Sequence, residues 1–386
     1  MRAAEVVVIG AGVMGASVAY HLAVRGVRNV VLLDRGVGPG AGSTARATGG
    51  YRAQYGTAIN VRLSLLAREK LRRFEADTGV DPGYLPVGYL WLAGTEAELA
   101  ILRTGLQLQW SEGLNEAVEV NASEIARLNP AIRLDGVTGG TYCPTDGFIR
   151  PLDILRGYLG SSARFGARVE WEVEVTGLTR EGGRIVSVET SRGPISAGAV
   201  VNAAGPWAAA VAEMAGVALP VTPLRRQVAA TVPCALLPAD MPMTIWAGDG
   251  FHLRVRDGRV LLLWPTPGVT GQPFDASLDP DWIRAVVEMA DARVPVLRGT
   301  PVDPSASWAG LYEMSPDKHA ILGAAPDCAN LYLINGSSGH GVMHSPALGH
   351  LLAEIICDGQ ASTLDVTDLR PTRFAEGRPN RVSELL

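Results

Sequence analysis

Hydrophobic and polar positions follow several different rhythms along this chain, and each rhythm predicts a different kind of element. Residues 6–9 form an unbroken β-branched run, the pattern of a strand buried on both faces. It leads into Gly10-Ala11-Gly12-Val13-Met14-Gly15, after which Ala16, Val18, Ala19, Leu22 and Ala23 recur at helical spacing, closed by Gly26 as a C-cap. A second apolar run over 30–33 ends in Asp34. Val61, Leu65, Leu66 and Leu71 predict a helix over 59–74. Past Asp81-Pro82-Gly83 the pattern shifts to a strand over 88–92 and a helix over 96–112. A turn over 145–151 leads to a helix over 152–165. Antiparallel strands joined by Gly turns are predicted over 169–175, 184–190 and 194–197, and a second buried strand over 199–205. Residues 220–315 are rich in Pro, Trp and short strands, whereas 331–357 return to strand, glycine loop and helix, the helix over 348–356.

The opening stretch has a chemical reading. Gly10 permits a tight turn, Gly12 lets a pyrophosphate approach the backbone, and Gly15 lets the helix pack closely on the strand. The helix N-terminus offers N–H groups and a positive dipole end to the phosphates. Asp34, about 20 residues on, is placed to accept from ribose hydroxyls. Strand, loop, helix, strand and acid in that order predict a dinucleotide site. The glycine-rich loop over 36–50 carries Ser43 and Thr44 as donors to phosphate, with Arg46 and Arg52 close by.

Composition narrows this further. A chain of 386 residues that is 47% hydrophobic is expected to form two domains. A net charge of −5 gives no reason to expect nucleic acid or an anionic membrane as partner. Cys143, Cys234, Cys328 and Cys357 are far apart, without CxxC or His at metal-ligand spacing, so reduced thiols and no metal site are expected. The first strand begins within ten residues and no apolar stretch reaches membrane length, which predicts a cytoplasmic protein. The return of α/β patterning at the end splits the dinucleotide domain into 1–85, 147–219 and 318–386, with 86–146 and 220–317 forming the substrate domain.

With these residues assembled, the chain resembles the D-amino-acid oxidase-like family of FAD enzymes, in its sarcosine oxidase, glycine oxidase and proline dehydrogenase β-subunit branch. Four anchors carry the resemblance: the N-terminal fingerprint with Gly42-Ser43-Thr44 and Arg52; Asp146-Gly147 and its helix; the 200–207 segment ending Ala204-Gly205-Pro206-Trp207; and Gly339-His340-Gly341 followed by His344-Ser345-Pro346. The resemblance implies an α/β fold, a GR2-type FAD-binding Rossmann-like domain with an inserted antiparallel-sheet substrate domain. It implies FAD contacts at Gly10, Gly12, Val13, Met14, Gly15, Asp34, Arg35, Gly42, Ser43, Thr44, Arg46, Val175, Ala204, Gly205, Trp207, Gly339, His340, Gly341, Val342 and Met343.

It also implies the chemistry, transfer of a hydride equivalent from the carbon beside an amine nitrogen to flavin. Arg52 matches the arginine that sarcosine oxidases use for the substrate carboxylate, a task suited to a bidentate guanidinium. His252 lies on a strand that in the family faces the flavin, His340 supports the flavin, and His344 reads as loop structure. The family pattern is broken at Met343, where sarcosine oxidases have lysine, and at Tyr312, where glycine oxidases have arginine. Tyr312 can donate a hydrogen bond there, and Glu313, if it faces the pocket, favours a cationic or secondary amine. Leu311 stands at the covalent-flavin cysteine, implying dissociable FAD, and a Leu within 260–263 replaces the oxygen-activating lysine. The expected activity is FAD-dependent oxidation of a small secondary amino acid such as sarcosine or L-proline, with O2 or an electron carrier as acceptor. Alternatives are a glycine oxidase or D-amino-acid dehydrogenase acting on primary amines, a subunit active only in a heteromeric complex, and an NAD-dependent dehydrogenase. A homo-oligomer is equally compatible with the sequence.

Overall fold

The computed structural model describes residues 2–265 and 272–382. The end positions 1 and 386 of the predicted outer segments, and residues 266–271 of the predicted 220–317 segment, lie outside them. Two eight-stranded sheets organise the chain.

The first sheet runs Ile321–Ala324, Leu331–Asn335, Ile195–Asn202, Arg2–Ile9, Val30–Asp34, Arg168–Trp171. Its four central pairings are parallel, with Val7 opposite both Val200 and Val31. Alternation along Arg2–Ile9 sends Val6 and Val8 to one core and Val7 and Ile9 to another. That is why the run contains no polar position. The first core lies under the helices Val13–Val24, Ala58–Thr78, Pro151–Arg164 and Gly341–Asp358. The second lies under Ala208–Met214 and the antiparallel ribbon of Val175–Glu181 and Arg184–Thr190. Each fully buried Val or Leu contributes roughly 1.5–3 kcal/mol.

The second sheet runs Trp308–Met314, Thr222–Ala230, Arg259–Leu263, His252–Arg256, Met243–Trp246, Tyr89–Ala93, Gly139–Cys143, Val118–Val120. One face packs Leu90, Leu253, Val255 and Leu262 against Trp282, Val286 and Ala290 of the helix Pro280–Arg293. Its other face looks toward the first sheet. A short ribbon, Gly50–Tyr51 with Gly147–Phe148, lies where the two sheets meet.

Several predicted elements differ. The 169–175 strand is two pieces: it ends at Trp171 as a parallel edge strand, and Val175 begins the antiparallel ribbon. Glu172 takes φ +56 between them, and the N–H groups of Glu172 and Val173 go to Gly36 O and Asp34 O. The predicted 194–197 and 199–205 strands are one strand, Ile195–Asn202, paired with Arg2–Ile9 along its length, Gly198 lying against the Glu5 carbonyl. The last long helix starts at Gly341, so His344 is helical and not in a loop. Pro346 hides that start, because it lacks the N–H that would bond Val342 O. The Ser345 hydroxyl donates to Val342 O at 2.9 Å instead. The Pro280–Arg293 helix was not predicted, although Asp279 caps it through the N–H groups of Asp281 and Trp282 and Pro280 opens it. No described helix is long and apolar enough to cross a membrane.

Candidate active site

A cavity of about 640 Å³ lies between the C-terminal ends of the parallel strands and the inner face of the second sheet. Its floor is mostly backbone. Gly10 takes φ +102, and a Cβ there would meet Ala203 O at 2.4 Å. A Cβ on Gly15 would meet Gly10 O at 2.0 Å. The helix Val13–Val24 starts at Gly12, which supplies no side-chain cap, and has no acid in its first turn, so its dipole end suits an anion. Val13 N–H donates to Thr44 Oγ1 at 3.1 Å. Asp34 accepts from Ala11 N–H through Oδ2 at 2.8 Å and from Gly36 N–H through Oδ1 at 2.7 Å, so it fixes the turn while keeping lone pairs at the cavity wall. At the far rim the Arg35 guanidinium lies 4.1 Å over the Trp207 ring, and Phe274 stacks on Trp207 at 5.5 Å. Val175, Ala204 and Gly205 line the same end.

Every residue proposed from sequence for the cofactor borders this cavity except Gly15. Its place is against the Gly10 carbonyl, so it acts on the turn and does not reach the ligand space. An uncapped helix end, a glycine turn that tolerates no Cβ and an acid at the second strand end fit the ADP half of a dinucleotide.

The glycine-rich loop is clipped to the second sheet by five side chains. Ser43 donates to Leu311 O at 2.7 Å, Arg46 to Ala309 O at 3.1 Å and Trp308 Nε1 to Arg46 O at 2.7 Å. Arg256 donates to Ala47 O at 3.2 Å. Arg254 Nη1 donates to Thr48 O at 2.8 Å and Gly49 O at 3.0 Å while its guanidinium covers the Phe148 ring at 3.5 Å. Burial pushes the Arg254 pKa down to about 10. Sequence reasoning missed Arg254 and Arg256, whose period-2 spacing on a strand was the available signal.

Arg52 leaves the short ribbon and is 5% exposed. Its guanidinium lies 4.6 Å from the Tyr55 ring and 5.0 Å from the Trp91 ring. Nη2 is 3.3 Å from His340 Nε2; a guanidinium only donates, so His340 accepts. Burial, with the Arg52 charge beside it, holds the His340 pKa far below its usual range, consistent with that role. The chain after Arg52 is fixed by Asp146, which accepts from Ala53 N–H at 2.7 Å and Gln54 Nε2 at 3.1 Å. Burial raises the Asp146 pKa to about 6. His344 is set behind the site, 2.8 Å from Ser64 Oγ.

The roof of the cavity is decided by strand register. Val228, Leu263, His252, Ile245 and Trp91 lie directly opposite one another from strand to strand, forming one row across five strands. His252 Nδ1 is 2.7 Å from Gly250 O and must donate to it, leaving Nε2 as an acceptor. Burial first, with Arg52 and Arg226 acting in the same direction, lowers its pKa to about 4. Tyr312, 37% exposed, leans on Gly339, where a Cβ would meet its ring at 2.4 Å. Glu313, the next residue, turns under the glycine loop: Ser337 N–H donates to Oε1 at 3.3 Å and Oε2 is buried. Burial raises its pKa to about 7. Oε1 is thereby tied to the loop, while Oε2 has no hydrogen-bond partner among the described residues and Glu313 lines the cavity. Arg226, a further cavity residue, was also missed.

The comparisons with known proteins agree with this geometry. A family model described as DAO, FAD dependent oxidoreductase, matches residues 5–355. FAD-dependent oxidoreductase domain-containing protein 1 of Xenopus laevis is 28% identical, the alignment covering 97% of this chain and 83% of that protein. Mitochondrial dimethylglycine dehydrogenase of Mus musculus is 28% identical over 99% of this chain, which spans only 45% of that enzyme. Among solved structures, L-proline dehydrogenase from P. horikoshii superposes with a TM-score of 0.90 at 27% identity, covering 98% of this chain and 100% of that one.

Proposed function

The chain belongs to the DAO family of FAD-dependent oxidoreductases, and from that premise we propose that it oxidises a small secondary amino acid, N-methylated or cyclic, such as sarcosine or L-proline, to the imine. The observation that carries this is a buried Arg52 and a neutral acceptor, His252 Nε2, lining one cavity with the apolar side chains of Ile245 and Leu263. Arg52 takes the substrate carboxylate. A neutral secondary amine has one N–H for that acceptor and an alkyl group for the apolar wall. With its basicity lowered by burial, His252 accepts that hydrogen bond without taking the proton. Tyr312 adds a hydroxyl donor at the same wall. The mouse relative and the P. horikoshii structure carry names that refer to N-substituted amino acids, which supports the reading.

Bound FAD supplies the two-electron acceptor for the hydride equivalent that leaves the carbon beside the nitrogen. In this reading the helix end at Gly12, Val13 and Met14 takes the diphosphate and Asp34 a ribose. The turn at Ala204, Gly205 and Trp207 and the loop from Gly339 to Met343 border the rest. The FAD is held non-covalently: Leu311 offers no thiol, and no cysteine is among the described residues lining the cavity. Leu263 sits beside His252 and offers no ammonium, which favours an electron carrier over O2 as acceptor. The first sheet, built from 1–85, 147–219 and 318–386, serves the cofactor, and the second, from 86–146 and 220–317, serves the substrate.

Anaerobic bleaching of the flavin against a panel of amino acids tests this. Sarcosine or L-proline should bleach it, with slow recolouring in air. Bleaching by glycine or D-amino acids alone would replace the secondary-amine reading with a primary-amine one.

A further inference from the structure

Arg226 lies at the middle of Thr222–Ala230, directly opposite Gly310 of Trp308–Met314. Two residues further along its strand Val228 joins the row that contains His252, and two residues back Leu224 is opposite Tyr312. Alternation therefore places Arg226 on the same sheet face as Tyr312 and His252, and it lines the cavity with them. Gly310 opposite it has no side chain to fill that place; a Cβ there would meet the Arg46 side chain at 3.0 Å. Burial disfavours the charge of Arg226, while the Tyr312 hydroxyl favours it. Although Tyr312 is 37% exposed as a whole, burial of its ring against Gly339 raises its pKa, and Arg226 and then Arg52 act against that, so both cations act on Tyr312. His252 feels both as well.

The two guanidinia approach from different sides. Arg52 is packed on Trp91, whose strand is four places along the sheet from that of Arg226. His252 and Tyr312 are cavity residues on which both cations act. Two cations that reach one cavity from different elements suit two carboxylates on one ligand better than one carboxylate held twice.

We propose that Arg226 is a second anion-binding residue of the cavity, and that Arg52 and Arg226 together select a secondary amine bearing two carboxylates. This rests on the reading of the cavity as an amine-oxidation site. The second acid is on the N-substituent or the side chain, while the carbon oxidised lies between the amine and the carboxylate held by Arg52.

The test uses the flavin-loaded protein and two acids whose sulfur replaces the amine, so that nothing is oxidised: thiodiacetate, with two carboxylates, and (methylthio)acetate, with one. Each is titrated while the flavin absorbance band is followed. Thiodiacetate should bind at least about tenfold more tightly, the usual worth of a charge-assisted pair. Arg226→Gln should bring the ratio of the two affinities to about one, and Arg226→Lys should restore part of it. Equal affinities in the unmodified protein, or a ratio unchanged in Arg226→Gln, would overturn the proposal while leaving the amine-oxidation reading in place. If neither acid perturbs the flavin, both readings fall. Should Arg226→Gln not retain flavin, the ratio in the unmodified protein decides alone.

Discussion

The two walls of the cavity are built by different means. The floor, at the strand ends of the first sheet, works with backbone: the Gly10 turn, the uncapped helix start at Gly12 and the N–H groups held by Asp34. The roof, on the second sheet, works with side chains: Arg226, His252, Leu263 and Tyr312, each from a different strand. A wall of backbone tolerates almost no change at its glycines but is indifferent to what the ligand's reactive end looks like. A wall of side chains can be re-specified residue by residue without disturbing the fold. The glycine-rich loop is where the two meet, held to the roof by Arg46, Arg254 and Arg256.

The sharpest break of this contrast is at the floor. Gly15→Val would drive a side chain into the Gly10 carbonyl, which its Cβ alone would meet at 2.0 Å. Purified protein should carry no flavin absorbance, and a variant that keeps its flavin would show that the floor is not a rigid backbone cradle. Next is the handover between the sheets. Asp317 follows the roof strand Trp308–Met314 and precedes the floor strand Ile321–Ala324, and both its oxygens pair with the fully buried Arg373, at 2.8 and 2.9 Å. Arg373→Ala should cost about 3–5 kcal/mol in denaturant unfolding. Burial acts against the Asp317 carboxylate, but Arg373 and Asn380 outweigh it and bring its pKa down to about 2. A depressed carboxyl contributes its stability above the ordinary value near about 4 and loses it as pH falls from about 4 to about 2. That acid-dependent loss should be absent from Arg373→Ala.

Side-chain changes should spare the flavin. Arg52→Gln is expected to lower kcat/KM by about 10²-fold or more, some 3 kcal/mol, with absorbance intact. Loss of flavin instead would move Arg52 from the substrate to the cofactor. The smallest effect belongs to His252. Its imidazole is neutral above about 4; as pH falls through that value it takes a proton, loses its acceptor and repels an ammonium. The kcat/KM profile should therefore have an acid limb near about 4, and His252→Gln should remove the limb while lowering the plateau by roughly tenfold or less. A limb that persists would assign it to another group.

The sequence by itself determined the floor. A turn that must be glycine, a helix that must start uncapped and a strand buried on both faces are local demands, and local demands leave contiguous motifs. It also placed Arg52 and His252 among the site candidates through the family resemblance. The resemblance also reached Tyr312, whereas the facing of the roof side chains, and Arg226 altogether, were decided only by tertiary structure. Whether Arg226 or Arg225 faces inward depends on which residue of Thr222–Ala230 pairs with Gly310, and the chain does not encode that register locally. The same holds for Glu313, whose carboxyl accepts from Ser337 N–H at the cavity wall. Pairing between strands more than eighty residues apart fixes these choices, because burying the Leu90, Leu253 and Leu262 face against the Pro280–Arg293 helix permits one register, and the inward side chains follow from it.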